Sequence, residues 1–418
     1  MRENEVKLKD ATDFWDNPCL YIMLGPACNM ICRHCSQMPY KKFHQFDDEV
    51  SEDVKDLIGN YIQYYQKYYQ KKRNQMSKAA MISFWGGEAL LHWKVMKSII
   101  EEFTIKYDMK NNPAVIFCIA SNGLGITDEM VEFINKYNVQ FNFSFDAPYP
   151  YAARGFVPET TIDRLLKIKK VCVLGSFNAL NCDLYAALNC MRAKFEGKAY
   201  RFFMNFQLLY TSELPDDLLD FNFDKIRDGI KMCRIAIQLG DKYFGEAIYP
   251  LVKPIKFPEE RKLMLESGMR HCVPGKRYLT VDLKGNVVRC HNDGSTKIGT
   301  VYDSLEEIHR RGYDICSKLE GKKQIEKCFS CEHRDVCPGG CFMGLKTADG
   351  YFRSCEMYTK PMYSIVKEEL SYLSQPLSEE DRKWFYERKP AYDKLAEEYA
   401  NGIYYNNMSI AGKENIKK

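Results

Sequence analysis

No stretch of this 418-residue sequence holds the roughly eighteen consecutive apolar residues of a membrane-crossing helix, so none is expected. The opening residues, Met1-Arg2-Glu3-Asn4-Glu5-Val6-Lys7, carry no apolar signal-peptide core, which points to a cytoplasmic protein without a membrane partner. Charge of one sign is lacking as well. A formal net charge of +4 gives no electrostatic basis for binding nucleic acid or an anionic surface. Repeats and long low-complexity linkers are also missing. Cysteine, by contrast, is abundant. Seventeen cysteines in a chain with no export signal argue against a disulfide framework and for bound metal. The seven outside any motif spacing (Cys19, Cys118, Cys172, Cys182, Cys190, Cys233, Cys316) read as buried small apolar residues.

The informative stretch is Gly25-Pro26-Ala27-Cys28-Asn29-Met30-Ile31-Cys32-Arg33-His34-Cys35. It follows the apolar run Leu20-Tyr21-Ile22-Met23-Leu24, which Gly-Pro closes, so it reads as the loop after a buried strand. Three thiolates spaced C-x3-C-x2-C can bind three irons of a cubane cluster and leave the fourth iron open to a substrate or cofactor. Zinc is the competing reading, with His34 or His44 as its fourth ligand.

Apolar, β-branched-rich runs alternate with helical patterns through the first half. Strands are expected at 19–24, 79–85, 114–121, 139–145, 171–177 and 201–208, with helices at 51–72, 92–107 and 127–137. Six βα units in sequence argue for an α/β fold with a parallel sheet, two units short of a full eight-fold barrel. The stripe Tyr61, Tyr64, Tyr65 and Tyr68 on the first helix reads as packing against that barrel. The expected division is a lead-in at 1–18, the barrel at 19–220, a poorly patterned connector at 221–268, a cysteine-rich module at 269–360 and a helical segment with tail at 361–418.

Phe84-Trp85-Gly86-Gly87-Glu88 closes the second strand, Ser121-Asn122-Gly123 the third and Ser144-Phe145-Asp146 the fourth, with Arg154 beyond. These lie at strand carboxyl ends, where parallel barrels build their sites. Together with the cysteine loop they resemble the radical S-adenosylmethionine (SAM) superfamily, whose core fold is a partial (β/α)6 barrel. The resemblance implies a [4Fe-4S] cluster on Cys28, Cys32 and Cys35 whose open iron chelates SAM. It also implies reductive cleavage to a 5′-deoxyadenosyl radical that abstracts hydrogen from a substrate. Gly86, Gly87 and Glu88 would contact the SAM amino group, and Ser121, Asn122, Ser144, Asp146 and Arg154 the remainder. One departure is His34, where many members carry an aromatic residue.

The later cysteines run Cys272-x17-Cys290, then Cys328-x2-Cys331-x5-Cys337-x3-Cys341, then x13-Cys355. Cys290 ends a G-x4-C element after a strand-like run at 278–283. This is similar to the SPASM domain, the auxiliary-cluster module of many radical SAM enzymes; a zinc ribbon is the structural alternative. By resemblance, Cys272, Cys290 and Cys341 hold the nearer auxiliary cluster and Cys328, Cys331, Cys337 and Cys355 the outer one, making three [4Fe-4S] clusters in all. Seven ligands serve two cubanes, so the nearer cluster has either an open iron or a non-cysteine ligand such as His271.

SPASM-bearing enzymes mostly modify peptides or proteins. The resemblance therefore implies a peptide or protein substrate, an external low-potential donor of flavodoxin or ferredoxin type, and a crosslink (C–C or thioether) in a ribosomally made peptide. The alternative is sulfatase maturation, or another SPASM dehydrogenation. In the sulfatase-maturing group an Asp base follows the G-x4-C cysteine, whereas here His291 does, with Asp293 two residues on. His291 joins Cys28, Cys32 and Cys35 as a catalytic candidate; donation to a cluster sulfur or a carbonyl is its plainer role. The crosslinking reading has its own gap, since 27 residues before Cys28 are too few for a leader-binding domain. A zinc-bound scaffold or a ferredoxin-like electron carrier is the non-enzyme alternative.

Overall fold

The computed structural model describes residues 6–11, 14, 18–35, 37, 49–71, 79–148, 154–195, 201–205, 218–249, 251–252, 278–314, 330–337 and 355–401. Six strands follow one another across a parallel sheet: β1 (Cys19–Met23), β2 (Ala80–Trp85), β3 (Val115–Ser121), β4 (Gln140–Ser144), β5 (Val171–Ser176) and β6 (Arg201–Asn205). All six expected strands form, within a few residues of the expected ends. Between them run α1 (Glu52–Lys71), α2 (Trp93–Lys106), α3 (Asp128–Lys136), α4 (Glu159–Leu165) and α5 (Leu184–Phe195). Sequential order with helical crossovers is the architecture of a partial (β/α) barrel.

Alternation along each strand builds two faces. Leu20, Ile22, Phe84, Phe117, Ile119, Phe141 and Phe143 are buried in one core with Leu57, Ile58, Ile99, Ile100 and Ile134 of the helices. The opposite face carries Tyr21, Ser83, Trp85, Cys118, Gln140, Asn142 and Thr280. Helix starts follow capping chemistry: Thr127 Oγ1 accepts the Met130 N–H at the head of α3. The tyrosine stripe packs as expected. Tyr61 and Tyr65 are buried, the Tyr61 hydroxyl donates to Met81 O at 3.4 Å, and Phe14 meets the Tyr61 ring edge-on at 5.3 Å.

The sheet does not stop at β1. On its other edge β7 (Tyr278–Asp282) pairs in parallel with β1, and β8 (Asn286–Cys290) and β9 (Asp293–Thr300) extend it antiparallel. The lead-in straps this extension to the barrel: Leu8 N–H donates to Asp303 O at 2.8 Å and Lys9 N–H to Val301 O at 2.9 Å, while Lys9 pairs with Asp53 of α1. The described part of the stretch expected as a poorly patterned connector is helical. It contains α6 (Phe223–Gln238), capped by Asn222, and α7 (Lys242–Ala247). The chain then adds α8 (Lys360–Ser371) and α9 (Glu379–Ala400), which pack on α6 and α5. No helix among the described residues is long and apolar enough to cross a membrane.

Candidate functional site

The cysteine loop leaves the carboxyl end of β1 and is docked by backbone onto the turn after β2. Gly87 N–H donates to Gly25 O at 2.9 Å and Glu88 N–H to Ala27 O at 2.7 Å. The approach is so close that a Cβ on Gly87 would sit 2.2 Å from Ala27 O, and one on Gly86 2.8 Å from Gly25 O. Only glycine allows this contact. Cys28 and Cys32 are buried and Cys35 half-buried, with the Cys28 thiol donating to Met30 O at 3.3 Å.

Glu88 is buried, and its carboxylate joins the ends of β2 and β3. Oε1 accepts from Ser121 Oγ at 2.6 Å and from Leu90 N–H at 2.9 Å, and Oε2 from Asn122 N–H at 2.8 Å. Asn122 in turn donates to Asn29 Oδ1 on the cysteine loop at 2.9 Å. Gly123 follows with φ of 79°, a left-handed conformation that favours glycine. Ser144 ends β4, and Asp146 lies just beyond it, bonded to Ser176 N–H and paired with Arg154. The structure thus brings Cys28, Cys32, Cys35, Gly86, Gly87, Glu88, Ser121, Asn122, Ser144, Asp146 and Arg154 to one edge of the sheet.

His291, one residue past β8, lies elsewhere: β8 runs back antiparallel to β7, away from the carboxyl edge, and the residue stands over the middle of β1 on the inner face. Its ring stacks on Tyr21 at 4.3 Å and 29°, with Trp85 edge-on at 4.6 Å. Its carbonyl accepts from Gln37 Nε2 at 2.7 Å, two residues after Cys35. Burial pushes its pKa down to about 4, so the ring is neutral near pH 7. Cys290 Sγ accepts the Asn292 N–H at 3.3 Å. Farther on, Cys331, Cys337 and Cys355 are half-buried. Cys272, Cys328 and Cys341 lie outside the described residues, as do His44 and His271.

Cys118, Cys172, Cys182, Cys190 and Cys233 are buried, as expected of packing residues, and burial pushes the Cys19 thiol up to about 12. Asn178 and Asn181, at the end of β5, close a capping box on each other and both donate to Ser176 O. The polar pair that does stand on the open face was missed. Gln140 Nε2 donates to Asn142 Oδ1 at 2.8 Å, and both side chains are half-buried. The signal was present in the alternation Gln140-Phe141-Asn142-Phe143-Ser144, with polar residues at every second position of a barrel strand.

The chemistry of the donor set fits an iron–sulfur cubane: three soft thiols on one loop, two buried and one half-buried. The glycine cradle also leaves the turn after β2 packed directly against that loop.

Fold and site together define a partial-barrel enzyme built around a cysteine loop at the carboxyl edge of a parallel sheet. Residues 22–175 match the family model described as the Radical SAM superfamily, and that match supports a radical SAM enzyme resembling peptide maturases. A fold of this kind implies a [4Fe-4S] cluster and SAM. Among curated proteins, it is 25% identical over 134 residues to the radical SAM cyclopropyl synthase TigE of Paramaledivibacter caminithermalis, covering 31% of this chain and 27% of that one. It is also 25% identical over 210 residues to the serine-type anaerobic sulfatase-maturating enzyme of Bacteroides thetaiotaomicron, covering 47% and 46%. The chain therefore spans less than half the length of these relatives. The solved structure of native anSMEcpe with bound AdoMet has the same fold, with a TM-score of 0.55 and 14% identity over 85% of this chain and 100% of that one. The same protein with AdoMet and the Cp18Cys peptide gives a TM-score of 0.54.

Proposed function

We propose that this protein is a SPASM-type peptide-modifying radical SAM enzyme that forms a C–C or thioether crosslink in a ribosomally made peptide. The observation that carries the reading is the cysteine loop docked on Gly86, Gly87 and Glu88 at the carboxyl edge of the sheet, with His291 stacked on Tyr21 of the inner face. When bound, the cluster and SAM supply a radical that abstracts hydrogen. Cys28, Cys32 and Cys35 hold that cluster. The backbone of Gly86 and Gly87 receives the SAM amino group beside them. Glu88, fixed by Ser121 and Asn122, sets where that backbone stands. The inner face with Tyr21, Trp85 and the Gln140–Asn142 pair receives the peptide. Cys272, Cys290 and Cys341 would hold one auxiliary cluster and Cys328, Cys331, Cys337 and Cys355 a second, which would supply an electron acceptor. An external flavodoxin- or ferredoxin-type protein supplies the initiating electron.

Sulfatase maturation is kept as a second reading because the curated sulfatase-maturating relative aligns over 210 residues. The two readings separate by product. A crosslinked peptide loses a hydrogen pair and gains an internal bond, whereas formylglycine is an aldehyde trapped by a hydrazine.

The test is anaerobic reconstitution followed by SAM and dithionite. Deoxyadenosine is expected from the unsubstituted protein and not from Cys28→Ala. Its continued formation in Cys28→Ala would remove the loop from the chemistry, and zinc without deoxyadenosine would overturn the reading altogether.

A further inference from the structure

Asp146 is 2% exposed and gathers three groups from three parts of the chain. Its Oδ1 accepts the Ser176 N–H at 2.6 Å. Its Oδ2 lies 2.6 Å from Arg154 Nε, in ion-pair rather than aligned hydrogen-bond geometry, and 3.5 Å from His34 Nε2. Arg154 NH2 also donates to Ser176 Oγ at 2.9 Å, so the guanidinium is fixed at two points. His34, 3% exposed, stands between Cys32 and Cys35. One carboxylate oxygen therefore bridges a half-buried cation and the loop that bears the three thiols.

We propose that Arg154 and Asp146 form a fixed charge pair that sets the reduction potential of the cluster on Cys28, Cys32 and Cys35. Arg154 eases reduction and Asp146 opposes it. The proposal rests on the reading of these cysteines as cluster ligands. A cluster gains negative charge when reduced, and cluster potentials follow local charge, hydrogen bonding and exposure. A half-buried cation beside it, its side chain 14% exposed, stabilises the reduced form with less solvent screening than at the surface. Arg154 keeps its charge there. A guanidinium is not deprotonated in proteins, and the Asp146 carboxylate stands beside it. The pair also accounts for the histidine at position 34, whose ring nitrogen reaches Asp146 where an aromatic hydrocarbon would not. Arg154 and Asp146 thus act as positioning residues for electron entry, beyond any contact with SAM.

The experiment is a redox titration of the reconstituted full chain without SAM, followed by electron paramagnetic resonance. The signal of this cluster is the one missing from Cys28→Ala. Arg154→Gln is expected to lower the midpoint potential, making the cluster about tenfold harder to reduce, or 59 mV for one electron. Arg154→Lys, which keeps the charge, is expected to restore most of the shift. Asp146→Asn is expected to raise the potential. A merely loosened loop would move Arg154→Gln and Asp146→Asn in the same direction. Shifts of one sign, or unchanged potentials at unchanged iron content, would overturn the proposal. A shift that emerges only after SAM is added would also overturn it and place the pair on SAM. If the unsubstituted protein forms no [4Fe-4S] signal, the cluster reading itself falls, and the proposal with it.

Discussion

At position 87 there is no room for a single methyl group. An alanine Cβ there would lie 2.2 Å from Ala27 O and 2.6 Å from Pro26 O, both backbone atoms with no rotamer to yield. Gly87→Ala must therefore push the cysteine loop off the turn after β2 and break the Gly87-to-Gly25 bond. Forced overpacking of this sort costs about 1–3 kcal/mol. Reconstituted Gly87→Ala should thus melt lower and carry less iron, because the loop that presents Cys28 no longer sits against its support. Unchanged iron content and melting temperature would show that the close approach is not needed. The dipeptide Gly86-Gly87 was legible in the sequence as a place where backbone comes close. What it comes close to was not, since Gly25 to Ala27 lie about sixty residues away along the chain. Glu88 shows the same limit. Its motif is local, but its partners Ser121 and Asn122 become neighbours only when β2 and β3 pair.

Among the elements, α6 is where sequence reasoning gave way. Pro250, Pro254 and Pro258 dominate the look of 221–268, and the buried stripe of α6 is interrupted by a charged residue, Arg234. Its side chain is 3% exposed, 2.8 Å from Asp381 of α9 and 3.5 Å from Glu369 of α8. A charge inside an apolar stripe breaks the helical pattern in one dimension, yet in three dimensions it is the point where α8 and α9 attach. The strands were easier. Phe141 and Phe143 alternate with polar residues, and the parallel register from β1 to β6 leaves each no choice of face. Burial works against the charge on Glu369 and raises its pKa, so its stability as a carboxylate depends on the guanidinium beside it. Removing one member of a buried ion pair typically costs about 3–5 kcal/mol. Arg234→Ala is therefore expected to lower the urea midpoint by that order, with deoxyadenosine formation retained at low temperature because α6 is remote from the cysteine loop in the topology. A loss below about 1 kcal/mol, as for exposed pairs, would mean that solvent reaches the cluster of charges.

For the molecule as a whole, the extension β7–β9 is a continuation of the barrel sheet rather than a separate layer. β7 lies against β1 along five residue pairs, and β1 leads straight into the cysteine loop. Cys290 therefore stands on the same hydrogen-bonded framework as Cys28, toward the opposite end of the sheet because β8 runs back antiparallel, and Gln37 reaches across to the His291 carbonyl. If Cys290 serves one auxiliary cluster and Cys355 another, the two should be lost independently, because they stand on different elements: Cys290 ends β8, and Cys355 opens the turn before α8. The unsubstituted protein should then bind about twelve irons as three cubanes, and Cys290→Ala and Cys355→Ala about eight each. Both variants should still cleave SAM, since Cys28, Cys32 and Cys35 are untouched, while product formation on a peptide falls because the electron on the product radical has lost its acceptor. Iron and sulfide analysis of the three proteins checks the count, and the deoxyadenosine-to-product ratio checks the role. An unsubstituted protein with about four irons would confine the metal to the first loop and leave the later cysteines without a cluster. Equal iron in Cys290→Ala and the unsubstituted chain would remove Cys290 from the ligand set while leaving the barrel chemistry intact.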